Sequence, residues 1–229
     1  MTTGAGGERA RPRGSAASEV REHRYRRPTL SGHEESDAEV VFVCTGNRAR
    51  SPIAEALLRR RLAGNRVRVA SRGTIETGPA GVLPEMIRAA HGLGVDLTSH
   101  VARPITRGEL ANASLVVGFE PSHVASAVVD GKAPAEAAFT LLELLSSLER
   151  LGTPDLSRDP IAGLGDLVRR AHAHRPGGDR LRAPSIADPL GASQATFDRL
   201  AADIAVMVDS LAFLMFGIAG RDQTTASGA

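Results

Sequence analysis

The stretch "VFVCTGNRARSPIAEALL", Val41 to Leu58, decides how the rest of the chain is read. "EVVFVC", Glu39 to Cys44, is a β-branched run of the kind buried on both faces in a parallel sheet. "SPIAEALLRRRLAG" behind it is amphipathic, opens with Ser51 as cap and Pro52, and closes at Gly64, which predicts a helix. Between them lies a short turn, and at the end of the strand stands the only cysteine of the 229 residues.

Outward from this stretch the same alternation recurs. "VRVAS" at Val67–Ser71 and "SLVVGF" at Ser114–Phe119 read as strands. Helices are predicted from Pro84 to Leu93, over "PSHVASAVV" after Phe119, and from about Gln194 to Phe216. "AAFTLLEL", Ala137–Leu144, reads as a fourth strand running into a helix, and another helix is expected around Ile161–Ala173. The expected fold is therefore α/β: a doubly wound, four-stranded parallel sheet with right-handed crossovers and helices on both faces. In such sheets ligands sit beyond the carboxyl ends of the strands, where Cys44 falls.

At 42% hydrophobic and 3% aromatic, the core must be built from Ala, Val, Leu and Ile. Residues 1–37 carry no sustained apolar period and are expected to form a disordered arm ahead of one domain over 38–218, with a disordered tail over 219–229. A formal charge of +2 does not point to nucleic acid. No apolar run reaches membrane-spanning length and no signal peptide is evident, so a cytoplasmic protein is expected. One cysteine allows neither an internal disulfide nor a Cys-rich metal site.

Five residues, Thr45, Gly46, Asn47, Arg48 and Ala49, separate Cys44 from Arg50. A turn of this length wrapped ahead of a helix points successive N–H groups inward, and the helix dipole adds positive charge, making a nest for a tetrahedral oxyanion. Gly46 and Asn47 are residue types that tolerate a positive φ. Arg50 can close the ring with a bidentate fork. A sulfur on the floor of such a cradle is stabilised as thiolate and becomes a nucleophile aimed at phosphorus. A Walker A loop is disfavoured, because the one lysine, Lys132, lies far away in sequence.

The string V-C-x-G-N-x-x-R-S-P, carried by Val43, Cys44, Gly46, Asn47, Arg50, Ser51 and Pro52, resembles the signature of the low-molecular-weight protein tyrosine phosphatase family. The likeness continues through "GVDLTSHVARPIT" and ends at "DPLG", Asp188–Gly191. It implies a metal-independent phosphomonoesterase, needing no cofactor, that acts on a phosphorylated protein or a small phosphomonoester. By the same resemblance Cys44 is the nucleophile that becomes a phosphocysteine, Arg50 the transition-state clamp, and Asp188 the acid and then the base. By the resemblance Thr45 to Ser51 would bind phosphate, Ser51 would hydrogen-bond the thiolate, and Asn47, Ser51 and His100 would support the loop. A second Asp-Pro pair at Asp159 lacks the family context of Asp188.

Three departures stand out. Ala49 replaces a second cysteine that many members carry, Leu190 stands where an aromatic often follows Asp-Pro, and the segment 154–184 is long and reads as a solvated variable loop around its one helix. Arg48 either attracts a second acidic group on the substrate or points to solvent. Two alternatives remain: a thiol-dependent arsenate reductase on the same scaffold, and an oxyanion-binding module without turnover.

Overall fold

The computed structural model describes residues 38–152, 159–177 and 184–218. The arm and tail expected at residues 1–37 and 219–229 lie outside the described residues. Within them the run ahead of Cys44 forms β1 (Ala38–Cys44), in which every residue but Glu39 is buried. It is flanked by β2 (Val67–Gly73) and β3 (Leu115–Gly118), and β4 (Ala138–Thr140) pairs with β3. All pairings are parallel, in the order β2-β1-β3-β4. The chain therefore reverses its winding direction at β1, and the carboxyl end of β1 is the topological switch point where such sheets open a crevice.

Helices α1 (Arg50–Arg61), α2 (Pro84–Gly92), α3 (Pro121–Val129), α4 (Leu141–Leu151), α5 (Leu164–Ala173) and α6 (Gln194–Phe216) cover the sheet unequally. The pleat sends Val40, Phe42 and Cys44 to one side, where they join Ile53, Leu57 and Leu58 of α1 and the stripe Phe197, Ala201, Ile204, Val208, Leu211 and Met215 of α6. Val41, Val43 and Val116 face the other way, toward Ala127 and the smaller layer around Leu110. Burying each large aliphatic side chain contributes roughly 1.5–3 kcal/mol, so the α1–α6 face carries most of the hydrophobic stabilisation. Arg61 then ties α1 to α6 through paired hydrogen bonds, Nε to Oδ1 and Nη2 to Oδ2 of Asp209, both 2.6 Å.

The element boundaries follow local chemistry. At Thr140 the hydroxyl accepts from the N–H of Glu143 at 3.2 Å while the Glu143 carboxylate accepts from the N–H of Thr140, so β4 stops there and α4 begins. At the far end of α6, Gly217 takes φ 67° and closes the helix. The segment read as a solvated loop differs from expectation between Pro160 and Gly177: α5 buries Leu164, Val168 and Ala171 in the main core. Beyond α5, the Arg175 guanidinium lies 3.8 Å over the Phe139 ring and donates to the Ala138 carbonyl at 2.7 Å. This part of the segment covers β4, because a parallel edge strand needs its apolar face closed. Among the described residues no helix is long and apolar enough to cross a membrane.

Candidate active site

The loop between β1 and α1 is shaped by where its carbonyl groups go. Those of Cys44 and Thr45 accept from the N–H of Thr74, Thr45 also accepts from Ile75, and that of Arg48 accepts from Leu83 at 2.9 Å. The carbonyl of Asn47 accepts from His100 Nε2 at 3.0 Å. With the oxygens thus held by the shell outside the loop, the amide N–H groups of Gly46, Asn47, Arg48 and Ala49 make no hydrogen bond to another described residue. Consecutive unpaired amides beside the N-terminus of a helix form an anion nest.

The loop's curl rests on Asn47, whose φ is 53°, while Gly46 stays outside the left-handed region expected for it. Asn47 is fully buried and acts as the internal scaffold. Its Oδ1 accepts from the N–H of Arg103 at 3.0 Å, which fixes the orientation of the amide. Its Nδ2 donates to Ser51 Oγ at 2.9 Å and to Ser71 Oγ at 2.8 Å. Ser71 in turn donates to Glu55. Ser51 oxygen accepts from Asn47, and its own proton faces two acceptors, Cys44 Sγ at 3.0 Å and the Arg72 carbonyl oxygen at 3.4 Å. Ser51 was expected as the helix cap, yet the cap position is Ala49 with no side-chain bond, since the hydroxyl is turned inward to the sulfur.

His100 completes this network, with Nε2 within 3.2 Å of Asn47 Oδ1 as well as bonded to its carbonyl. Burial holds its imidazole below the ordinary value, against the opposing effect of the bond to Asn47. A neutral ring with its proton on Nε2 suits two oxygen acceptors.

Arg50, 1% exposed, lies beside the bowl with both of its Nη groups engaged. Nη1 donates to Glu120 and to the Ile186 carbonyl at 2.7 Å, while Nη2 donates to Thr45 Oγ1 at 3.2 Å and to Asp188 Oδ2 at 2.6 Å. Asp188 thus comes from the loop ahead of α6 to the loop behind β1, whereas Asp159 accepts from the N–H of Ile161 ahead of α5. Cys44, Thr45, Gly46, Arg48, Ala49, Arg50 and Asp188 line a cavity of about 250 Å³, and Ile75, Thr77, Leu83 and Leu190 complete the lining. Arg48 donates from Nε to the Gly81 carbonyl at 2.9 Å.

Several residues of this arrangement were not read from the sequence. Gly73, the register partner of Cys44, leaves room for the loop: a Cβ there would lie 2.9 Å from the Thr45 carbonyl oxygen. Glu120 and His123 open α3, where "EPSH" is a legible capping box. His123 Nδ1 accepts from the N–H groups of Phe119 and Glu120 at 3.2 and 3.1 Å, and Nε2 reaches Thr45 Oγ1 at 3.1 Å. Burial first, and then the charge of Arg50, push His123 down to about 4, against the opposing charges of Glu120 and Asp188.

The family model for low molecular weight phosphotyrosine protein phosphatase matches residues 39–157. The low molecular weight protein-tyrosine-phosphatase Etp of Escherichia coli K12 is 37% identical over 103 residues, 45% of this chain and 67% of the relative. The protein-arginine-phosphatase of Bacillus subtilis is 28% identical over 134 residues, 58% of this chain and 85% of the relative. An arsenate reductase of Staphylococcus aureus is 38% identical over 78 residues, 34% of this chain and 56% of the relative. Among solved structures, a YwlE mutant from Bacillus subtilis superposes with a TM-score of 0.57 at 22% identity, covering 76% of this chain and 96% of that one.

Proposed function

We propose that this chain, which belongs to the low molecular weight phosphotyrosine protein phosphatase family, hydrolyses phosphomonoesters through a phosphocysteine intermediate and needs no metal. The observation that carries this reading is the loop itself: one sulfur hydrogen-bonded to Ser51 beside a buried guanidinium and four amides that have no partner among the described residues. The Cys44 thiolate attacks phosphorus in line, forming the S–P bond as the ester P–O bond breaks. Charge on the phosphoryl oxygens is met by the loop amides, which are in place before the reaction starts, and by Arg50, which exchanges its bond to Asp188 for one to the substrate. A phosphoryl oxygen that takes Arg50 Nη2 releases Asp188 Oδ2; the freed carboxylate takes up the proton that the Cys44 thiol gives up, and the Asp188 carboxyl group then passes it to the leaving oxygen. The resulting carboxylate takes a proton from water, whose oxygen attacks the phosphocysteine, returning phosphate and the thiolate.

The aliphatic side chains of Ile75, Leu83 and Leu190 on the cavity lining suit the side chain of a phosphorylated protein, and a lone thiol nucleophile suits the reducing cytoplasm. Hydrolysis of p-nitrophenyl phosphate by the wild type, abolished in Cys44→Ser, is the expected result; a wild type without turnover from pH 5 to 8 would overturn the reading. Phosphotyrosine and phosphoarginine peptides compared on the same enzyme decide the substrate residue. The Staphylococcus relative favours arsenate reduction as the second reading, and with one cysteine in the chain the electrons would have to come from an external thiol. Arsenate-dependent consumption of that thiol separates the two.

A further inference from the structure

We infer that the Thr45 hydroxyl is a catalytic hydrogen-bond donor to the phosphoryl group, and that His123 is the residue that positions it. This rests on the phosphatase reading and adds a side-chain donor to the amides and guanidinium already described.

The assignment follows from counting protons and lone pairs. His123 Nδ1 faces two backbone N–H groups, those of Phe119 and Glu120, and both must donate to it. Nδ1 therefore carries no proton, and in the neutral ring Nε2 does. Nε2–H then donates to Thr45 Oγ1 at 3.1 Å; the other oxygen nearby, Glu120 Oε1, is 3.8 Å away. Arg50 Nη2 donates to the same Thr45 oxygen at 3.2 Å. Two donors occupy both lone pairs of the hydroxyl, so its own proton can only be given away. Among the described residues it has no acceptor, and Thr45 lines the cavity above Cys44.

The surroundings keep the ring in this state. His123 is 1% exposed, and Gly118 at the end of β3 makes room for it, since a Cβ at Gly118 would lie 3.0 Å from His123 Cβ. The charged groups facing the ring are Arg50, Glu120 and Asp188. A second proton on the ring would point an N–H at two backbone N–H groups, a cost that burial raises further. The ring thus acts as a fixed donor, and the Arg50 charge polarises the hydroxyl it holds.

The experiment uses the full chain and two readouts, steady-state hydrolysis of p-nitrophenyl phosphate and calorimetric binding of orthovanadate. Thr45→Val keeps the shape and removes the donor; kcat and vanadate affinity should each fall by about tenfold or more, the worth of one hydrogen bond to a charged group. Thr45→Ser should recover most of both. His123→Asn keeps an acceptor for the N–H groups of Phe119 and Glu120 but withdraws the donor to Thr45. It should lower kcat by roughly threefold to fivefold with KM nearly unchanged, and have no further effect in a Thr45→Val background. A folded Thr45→Val protein within twofold of wild type in both readouts would overturn the inference, as would a His123→Asn effect that persists undiminished beside Thr45→Val. Wild-type inactivity strikes the phosphatase reading instead, and vanadate binding still reads the donor.

Discussion

Replacing Asn47 by Ala tests how much of the loop's shape one side chain holds. The variant loses donation to Ser51 at 2.9 Å and to Ser71 at 2.8 Å, acceptance from Arg103 at 3.0 Å, and a shared contact with His100. At about 1 kcal/mol for each buried bond, these amount to about 3 kcal/mol. Alanine at φ 53° adds about 1 kcal/mol, because its Cβ crowds the following carbonyl where asparagine is tolerated. A loss of about 4 kcal/mol is therefore expected in urea unfolding, a large part of the stability of an ordinary domain. Asn47→Gly removes the φ cost but adds a comparable unfolded-state entropy cost, so the two variants should lie within about 1 kcal/mol of each other. Ser51 is then no longer held against the Cys44 sulfur, and kcat/KM should fall by more than about tenfold in both. A loss below about 1.5 kcal/mol in Asn47→Ala, or a glycine variant much weaker than the alanine one, would refute this account of the loop.

Three further outcomes are expected. His123 is held at about 4, below its ordinary 6.5, so between those values the unfolded chain binds a proton that the native one refuses. Stability should therefore fall as pH drops from about 6.5 to about 4, by about 3 kcal/mol, and urea midpoints of His123→Asn should lack that share of the slope; parallel curves would contradict it. Gly73→Ala would set a methyl 2.9 Å from the Thr45 carbonyl oxygen and 3.2 Å from the Asn47 nitrogen, both rigid backbone, so orthovanadate affinity should drop by about tenfold or more. Arg61→Ala breaks the paired bonds to Asp209 across α1 and α6; a loss of about 1–2 kcal/mol is expected in urea unfolding, with vanadate binding unchanged.

Local chemistry carried much of this protein in the order of its residues alone. The apolar run of β1 with a glycine-containing turn and a helix behind it, "PSHVASAVV" as α3, and the span of α6 from Gln194 to Phe216 follow from period, caps and prolines. The T-L-L-E box at Thr140 marks the start of α4 in the same way, because a capping bond spans only three residues. Other features depend on distance through space. Ser51 reads as a cap in its local sequence, and the family resemblance assigns its hydroxyl to the thiolate; the fold brings the two within 3.0 Å and leaves the helix start to Ala49. Glu120 and His123 reach Arg50 and Thr45 across 70 and 78 residues because β3 lies next to β1, and Gly73 matters because its register partner is Cys44. Strand order and register arise from burying both faces of one sheet at once, a condition on the whole chain that no short window of residues contains.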